Sequence, residues 1–141
     1  MSLIYWDTML FVYLMEYYPD HGPRTEKIRS KMQKRGDTLC TSVFTVGELL
    51  TGCYKRGEQA LAVQVRDALQ PPTVELLPFT FEVAERYAQI RAAHRVAPAD
   101  AIHLATAAVA RTNLFLTNDL KLQKLTIPGI DFVAGLDVNL F

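Results

Sequence analysis

Four acidic side chains interrupt otherwise apolar stretches of this sequence, and carboxylates in such settings are candidates for metal chemistry. They are Asp7, Glu48, Asp100 and Asp119. Each lies at or near a junction between a strand-like and a helix-like segment. Carboxylates that a fold brings together repel one another, and a hard divalent cation removes that conflict. Because oxygen ligands suit Mg²⁺ and Mn²⁺, the pattern predicts a metal site for phosphate chemistry.

The segments that must position these acids alternate between strand-like and helix-like patterns. The predicted strands are Leu3–Trp6, Leu39–Thr41, Val74–Leu77, Leu114–Leu116 and Ile130–Val133. The predicted helices are Met9–Tyr17, Arg24–Arg35, Val43–Thr51, Gly57–Gln70, Phe81–Arg95 and Ala99–Arg111, with a short helix after Asp119. Thr8 and Ser42 are expected to cap the helices that follow them, and Gly52 to end the third helix. This alternation predicts an α/β fold with a parallel sheet covered on both faces.

The predicted topology gives a reason for the acids to meet. In open α/β sheets, sites form beyond the carboxyl ends of the strands, and Asp7 and Asp119 follow such ends. Glu48 falls about two turns into its helix, and Asp100 lies in a first turn, where the helix dipole favours negative charge. Singly, Asp7 and Asp119 read equally well as helix caps, Glu48 as a surface residue and Asp100 as a helix-start acid. The coincidence of all four at one sheet edge favours a shared site.

Composition limits the class of protein. The 141 residues fit one domain spanning residues 1–141, and half of them are hydrophobic, which is enough for a substantial core. Basic and acidic residues balance at 15 each, so any nucleic-acid contact must come from local patches. Cys40 and Cys53 fit neither a disulfide framework nor the usual zinc spacings. The longest apolar run, Met9 to Met15, is too short to span a membrane, and no signal peptide is recognisable. We therefore expect a soluble cytoplasmic protein.

The sequence around the four acids resembles a known family over nearly its whole length. The matching segments are Tyr5-Trp6-Asp7-Thr8, Ser42 through Glu48, Pro98 through Ala107, and Leu116-Thr117-Asn118-Asp119. They resemble the PIN-domain nucleases, and within them the VapC-like toxin halves of bacterial and archaeal VapBC toxin–antitoxin pairs. Met9 departs from the family pattern, which usually has Asn or Ser two residues after the first Asp.

This resemblance implies a three-layer α/β/α sandwich with a central parallel sheet of about five strands. It also implies a metal-dependent endoribonuclease, in which Asp7, Glu48, Asp100 and Asp119 hold one or two Mg²⁺ or Mn²⁺ ions directly or through water. Thr117 and Ser42 would be supporting hydroxyls. The implied partners are an RNA substrate, a cognate antitoxin and a second copy of the chain in a homodimer.

Two basic groups are candidates for RNA contact. Of these, the group that contains Arg91 and Arg95 lies just before the third acidic block and is the better candidate, although a solvated helix face explains it equally well. His103 shares a helix face with Asp100, and we expect it to be structural because Mg²⁺ sites prefer oxygen.

Other functions stay open. One is an RNA-processing PIN nuclease without an antitoxin, and another is a non-catalytic PIN module that binds RNA or protein. A nucleotide cofactor is not expected, because the Gly-x-Gly-x-x-Gly and P-loop patterns are both missing from the sequence.

Overall fold

The computed structural model describes residues 1–137 and has three layers, with helices on both faces of a parallel sheet. The strands are β1 (Leu3–Trp6), β2 (Thr38–Ser42), β3 (Glu75–Leu77), β4 (Leu114–Leu116) and β5 (Phe132–Ala134). The helices are α1 (Thr8–Met15), α2 (His21–Arg35), α3 (Val43–Lys55), α4 (Gln59–Ala68), α5 (Phe81–Ala93) and α6 (Pro98–Val109), with a short 3-10 helix at Leu122–Lys124. The five strands pair in the order β3-β2-β1-β4-β5, always in parallel. The predicted fold class is confirmed.

Strand β1 lies at the centre of the sheet and is buried on both faces. Ile4, Tyr5 and Trp6 are each at most 1% exposed, as expected for a parallel strand that helices cover on both sides. Because side chains alternate along a strand, Ile4 and Trp6 belong to the core formed with α1 to α4. Tyr5 belongs to the core formed with α5 and α6, where it stacks on Phe115 with ring centroids 4.9 Å apart. Asp7 therefore emerges at the middle of the sheet edge.

The cap of α1 differs from the prediction. Asp7, not Thr8, is the N-cap: its backbone is extended and its side chain accepts a hydrogen bond from the Thr8 N–H group. Thr8 is the first helical residue. Both residue types are good caps, so the prediction of Thr8 was wrong by one position. This shift leaves the Thr8 hydroxyl free for other partners.

Two helices are longer than predicted. Helix α2 begins at His21 rather than after Pro23, because proline is tolerated in a first turn, where its missing N–H has no partner to lose. Helix α3 continues through Gly52, which was wrongly predicted to end it. The buried Cys53 continues the apolar face of α3, and the chain turns only at Gly57, whose φ of 68° suits glycine.

The helices of this fold are modest in length. The longest, α2, has 15 residues and is strongly charged, whereas the most apolar, α1, has only 8. In the described part of the chain, no helix combines the length and the apolar character that a membrane crossing requires.

Candidate active site

A cleft of roughly 370 Å³ opens beyond the carboxyl ends of β1 and β4. Its lining includes all four sequence-predicted acids, Asp7, Glu48, Asp100 and Asp119, together with Thr8, Met9, His103 and Thr117. The acids come from four different elements or junctions of the chain. The parallel sheet brings them together because its strand ends share one edge.

Asp7 is the most firmly held of the four acids. Its N–H donates to the Leu116 carbonyl at 3.0 Å, which ties it to β4. Its Oδ1 accepts the Thr8 N–H at 2.8 Å, and its Oδ2 accepts the Thr117 hydroxyl at 2.7 Å. Its side chain is 14% exposed. Both carboxylate oxygens are therefore oriented before any ligand arrives.

Glu48 reaches the cleft from the second turn of α3, a helix that Ser42 caps through the Phe44 N–H. Its Oε1 accepts the Thr8 hydroxyl at 2.6 Å and lies 2.7 Å from His103 Nε2. Burial acts to raise the pKa of Glu48, but the hydrogen bonds from His103 and Thr8 outweigh it, and the pKa lies below its ordinary value. Glu48 is therefore ionised at neutral pH.

Asp100 has no such support. It lies in the first turn of α6, which begins at Pro98, and within residues 1–137 its carboxylate accepts no hydrogen bond. Burial raises the pKa of Asp100, and the charges of Asp7 and Asp119 raise it further. The cleft therefore holds more negative charge than its own hydrogen bonds compensate.

Asp119 is an exposed acid in the turn after β4. Its N–H donates to the Thr117 hydroxyl oxygen at 3.1 Å, and its Oδ1 accepts the Lys121 N–H at 2.8 Å. Asp119 thus stabilises the turn into the 3-10 helix as well as lining the cleft. Asp119 can therefore have both the structural role that the sequence allowed for it and a role as part of the cleft.

The other predicted site residues lie in different places. Thr117 is buried beside the acids and bonds to Asp7. Ser42 is buried and does not line the cleft, since its hydroxyl caps α3. Arg91 and Arg95 are exposed and do not line it either; Arg91 donates to the Tyr87 hydroxyl at 3.0 Å. The contacts proposed for Ser42, Arg91 and Arg95 stay predictions.

Two residues of the cleft, Thr8 and His103, were not foreseen as contributors. His103 is 2% exposed and bonds through both ring nitrogens, to Tyr5 and to Glu48. The available signals were the place of Thr8 next to Asp7 and the three-residue spacing from Asp100 to His103. Neither signal shows that both side chains converge on Glu48, which lies far away in sequence.

The donor set of the cleft fits a hard divalent cation in kind. All four acids offer oxygen ligands, and the burial of Asp100 beside the charges of Asp7 and Asp119, which raises its pKa, favours a cation at this place. Yet within residues 1–137, no three His, Cys, Asp or Glu side chains converge closely enough to enclose a metal ion by themselves. A cation held by these acids would therefore keep water among its ligands, as Mg²⁺ usually does in proteins.

Comparison with known proteins places the chain in a family. The model of the PIN domain matches residues 4–127, a span that includes all four acids. The chain belongs to the PIN domain family. The resemblance seen in the sequence motifs is thereby confirmed.

Solved structures share the fold of this PIN domain. DNA-bound VapBC from Salmonella typhimurium matches with a TM-score of 0.72 and 24% identity, over 96% of this chain and 99% of that one. VapBC2 from Rickettsia felis, bound to promoter DNA, matches with a TM-score of 0.71 and 16% identity, over 94% and 98%. VapBC-1 from nontypeable Haemophilus influenzae matches with a TM-score of 0.71 and 17% identity, over 95% and 98%. No curated protein matches the sequence.

Proposed function

We propose that this PIN domain is a metal-dependent endoribonuclease and the toxin of a type II toxin–antitoxin pair. The observation that carries the proposal is that Asp7, Glu48, Asp100 and Asp119 line one cleft with unbalanced negative charge. The fold likeness to VapBC structures supports the toxin assignment.

In this proposal, Asp7, Glu48 and Asp100 would hold one or two Mg²⁺ or Mn²⁺ ions, directly or through water, and Asp119 would contribute a further carboxylate. A bound divalent ion supplies a Lewis acid for phosphate oxygens and lowers the pKa of a coordinated water. The chain contributes orientation: Thr117 fixes Asp7, while Thr8 fixes Glu48. The oxygen of a water molecule would bond to phosphorus in line with the P–O3′ bond, which breaks; the 3′ oxygen takes up a proton, and the products are a 5′-phosphate and a 3′-hydroxyl.

The chemistry needs no covalent intermediate. Cys40 and Cys53 are both buried within the cores and line no part of the cleft, and burial raises the pKa of the Cys40 thiol well above its ordinary value. Neither thiol is therefore placed to act as a nucleophile, and the proposal assigns that role to water.

We further propose a cognate antitoxin and a second copy of this chain as partners. An apolar groove of roughly 300 Å³ adjoins the acidic cleft and includes Met9, Val12, Met15, Leu49 and Leu61. A groove of this kind suits an amphipathic helix. Because the solved structures of similar fold include VapBC complexes, we propose that this helix belongs to an antitoxin.

The test is cleavage of total RNA by the purified chain with Mg²⁺, Mn²⁺ or EDTA. Asp7→Asn removes a proposed ligand, and Asp67→Asn is the matched control because Asp67 is an exposed acid on α4, away from the cleft. We expect discrete fragments that require metal, vanish with Asp7→Asn and persist with Asp67→Asn. Absence of cleavage under every metal would favour a non-catalytic binding module.

A further inference from the structure

His103 is the most completely bonded side chain at the cleft. Its Nε2 lies 2.7 Å from Glu48 Oε1, and its Nδ1 lies 2.6 Å from the Tyr5 hydroxyl. The ring is 2% exposed, and the Phe44 ring meets it in an edge-type arrangement with centroids 5.5 Å apart and an interplanar angle of 61°. A buried imidazole held at both nitrogens cannot rotate without losing two hydrogen bonds.

The direction of these hydrogen bonds follows from their partners. An ionised Glu48 carboxylate only accepts, so His103 Nε2 must carry the proton. In the neutral ring Nδ1 is then an acceptor, and the Tyr5 hydroxyl donates to it. The Tyr5 oxygen in turn accepts the Ser42 N–H at 3.1 Å. Every donor in this chain of bonds faces an acceptor.

The anchor of this network is the sheet itself. Tyr5 belongs to the central strand β1 and is fully buried, and its ring stacks on Phe115 with an interplanar angle of 7°. Tyr5 therefore offers His103 a fixed partner on the sheet. His103 sits on α6 and Glu48 on α3, so the three side chains join both helical layers through the sheet.

The consequence falls on Glu48. Thr8 and His103 both bond to its Oε1, and within the described residues its Oε2 accepts no hydrogen bond. One oxygen is thus fixed by the protein and the other is left for a ligand. Side chains that bind metals in proteins are commonly oriented in this way, by hydrogen bonds from neighbouring groups that do not touch the metal.

We propose that His103 is a positioning residue, which transmits the rigidity of Tyr5 to Glu48 and presents Oε2 of Glu48 to a divalent cation. This inference rests on the proposed function. His103 itself is not a ligand, because its Nε2 lone pair is replaced by a proton and its Nδ1 faces Tyr5. The role is more specific than the structural one that the sequence suggests for His103.

Two variants of His103 separate positioning from packing. In His103→Gln the longer amide reaches the place of Nε2 and keeps a donor for Glu48. In His103→Asn the shorter amide keeps an acceptor for Tyr5 but reaches Glu48 no longer. We expect the dissociation constant for Mn²⁺ to rise about 10- to 100-fold in His103→Asn and by less than about tenfold in His103→Gln. Calorimetry measures both, with thermal melts to establish that each variant is folded.

Tyr5→Phe is the second test, because it removes only the hydroxyl that anchors the ring. We expect weaker Mn²⁺ binding than in the unsubstituted chain, with a smaller loss than in His103→Asn. In the metal-free unsubstituted chain, ¹⁵N spectra of the imidazole should show a proton on Nε2 of His103, and Glu48→Gln should shift that signal. A proton on Nδ1 instead would overturn the network.

The outcomes distinguish this inference from the proposed function. Tight Mn²⁺ binding by the unsubstituted chain and by folded His103→Asn alike would overturn the positioning role alone. Equal losses in His103→Asn and His103→Gln would assign His103 to packing and overturn it too. No Mn²⁺ binding by the unsubstituted chain would contradict the proposed function itself and remove the basis of this inference.

Discussion

The two sides of the acidic cleft are built differently. Asp7 and Glu48 accept hydrogen bonds from Thr8, Thr117 and His103, whereas the carboxylate of Asp100 accepts none among residues 1–137. The pKa of Glu48 is accordingly lowered and that of Asp100 raised. One side is thus organised in advance by protein groups, whereas the other holds a carboxylate that accepts no hydrogen bond among the described residues and whose pKa is raised by burial and by neighbouring acids. Only part of the cleft, the part with Asp7 and Glu48, is therefore held in a fixed geometry by protein hydrogen bonds.

The largest effect should come from the uncompensated side. Asp100→Asn keeps the shape of the side chain but removes its charge, so we expect RNA cleavage to fall at least about a hundredfold, since a metal contributes several kcal/mol and each 1.4 kcal/mol is tenfold. Initial rates on a defined RNA in Mg²⁺ measure the loss. Retained activity in folded Asp100→Asn protein would remove Asp100 from the site.

A second prediction concerns stabilisation by metal. Mn²⁺ at about 100 times its dissociation constant for the unsubstituted chain should raise the free energy of unfolding of that chain by about 2.7 kcal/mol, because the ion binds the folded state. The variants are compared at the same Mn²⁺ concentration. The increase should shrink in Asp100→Asn and persist in the surface control Asp67→Asn. Chemical denaturation with and without Mn²⁺ measures it. An equal increase in all three proteins would mean that the ion binds elsewhere.

A third prediction follows from the opposite pKa directions. The folded-state pKa of Asp100 is raised, so its ionised form destabilises the metal-free fold, and Asp100→Asn should be more stable than the unsubstituted chain at neutral pH. That advantage is full above the folded pKa of Asp100 and disappears as the pH falls below about 3.9, the unfolded value. Unfolding measured across this pH range in EDTA tests it.

The ionised form of Glu48 should have the opposite effect on stability to that of Asp100. Its folded-state pKa is lowered, so its stabilising contribution is present above about 4.3, the unfolded value, and is lost as the pH falls through the folded pKa. Glu48→Gln should therefore reduce stability at neutral pH in EDTA. Matching signs for Asp100→Asn and Glu48→Gln would contradict the division of the cleft into two unlike sides.

Smaller effects should come from the supporting hydroxyls. Thr8→Val and Thr117→Val each remove one hydrogen bond to a carboxylate and should each cost about 0.5–1.5 kcal/mol in the free energy of unfolding. Thr51→Val is the control, because among residues 1–137 the Thr51 hydroxyl bonds only to the Gly47 carbonyl of its own helix. The control should leave Mn²⁺ affinity unchanged while the two cleft variants lower it. Unchanged affinity in all three would show that the hydroxyls do not orient the acids.

The smallest effect should come from the RNA contact proposed for Arg91. Arg91→Glu should weaken RNA binding and reduce the dependence of log affinity on log salt by about one, the value for one phosphate contact. Arg24→Glu, on α2, is the comparison variant. An unchanged salt dependence in Arg91→Glu would leave Arg91 as part of a solvated helix face.

The sequence predicts the sheet well because its signals are local. Apolar runs such as Leu3–Trp6 and Leu114–Leu116 mark buried strands, and both ranges match the observed strands. Two of the boundaries that failed, at Thr8 and Gly52, are places where two local rules compete. Adjacent caps at Asp7 and Thr8 are equally acceptable, and the burial of Cys53 overrides the tendency of Gly52 to end a helix.

The candidate site is predictable in part for the same reason. Asp7, Asp100 and Asp119 can be found because each follows a strand or begins a helix, and Glu48 because it interrupts an apolar helix. The bond from His103 to Glu48, however, joins α6 to α3 across 55 residues. No periodicity along the chain encodes such a pairing. The other ring nitrogen of His103 bonds to Tyr5 on a third element, β1, so the network can be recognised only in the folded structure.

The measurement that tests the central claim most directly is a titration of Mn²⁺ into the unsubstituted chain, Glu48→Gln, Asp100→Asn and Asp67→Asn, followed by electron paramagnetic resonance. We predict a bound ion in the unsubstituted chain and in Asp67→Asn, with weaker binding in the two cleft variants. Equal binding in all four proteins, or none in the unsubstituted chain, would contradict it.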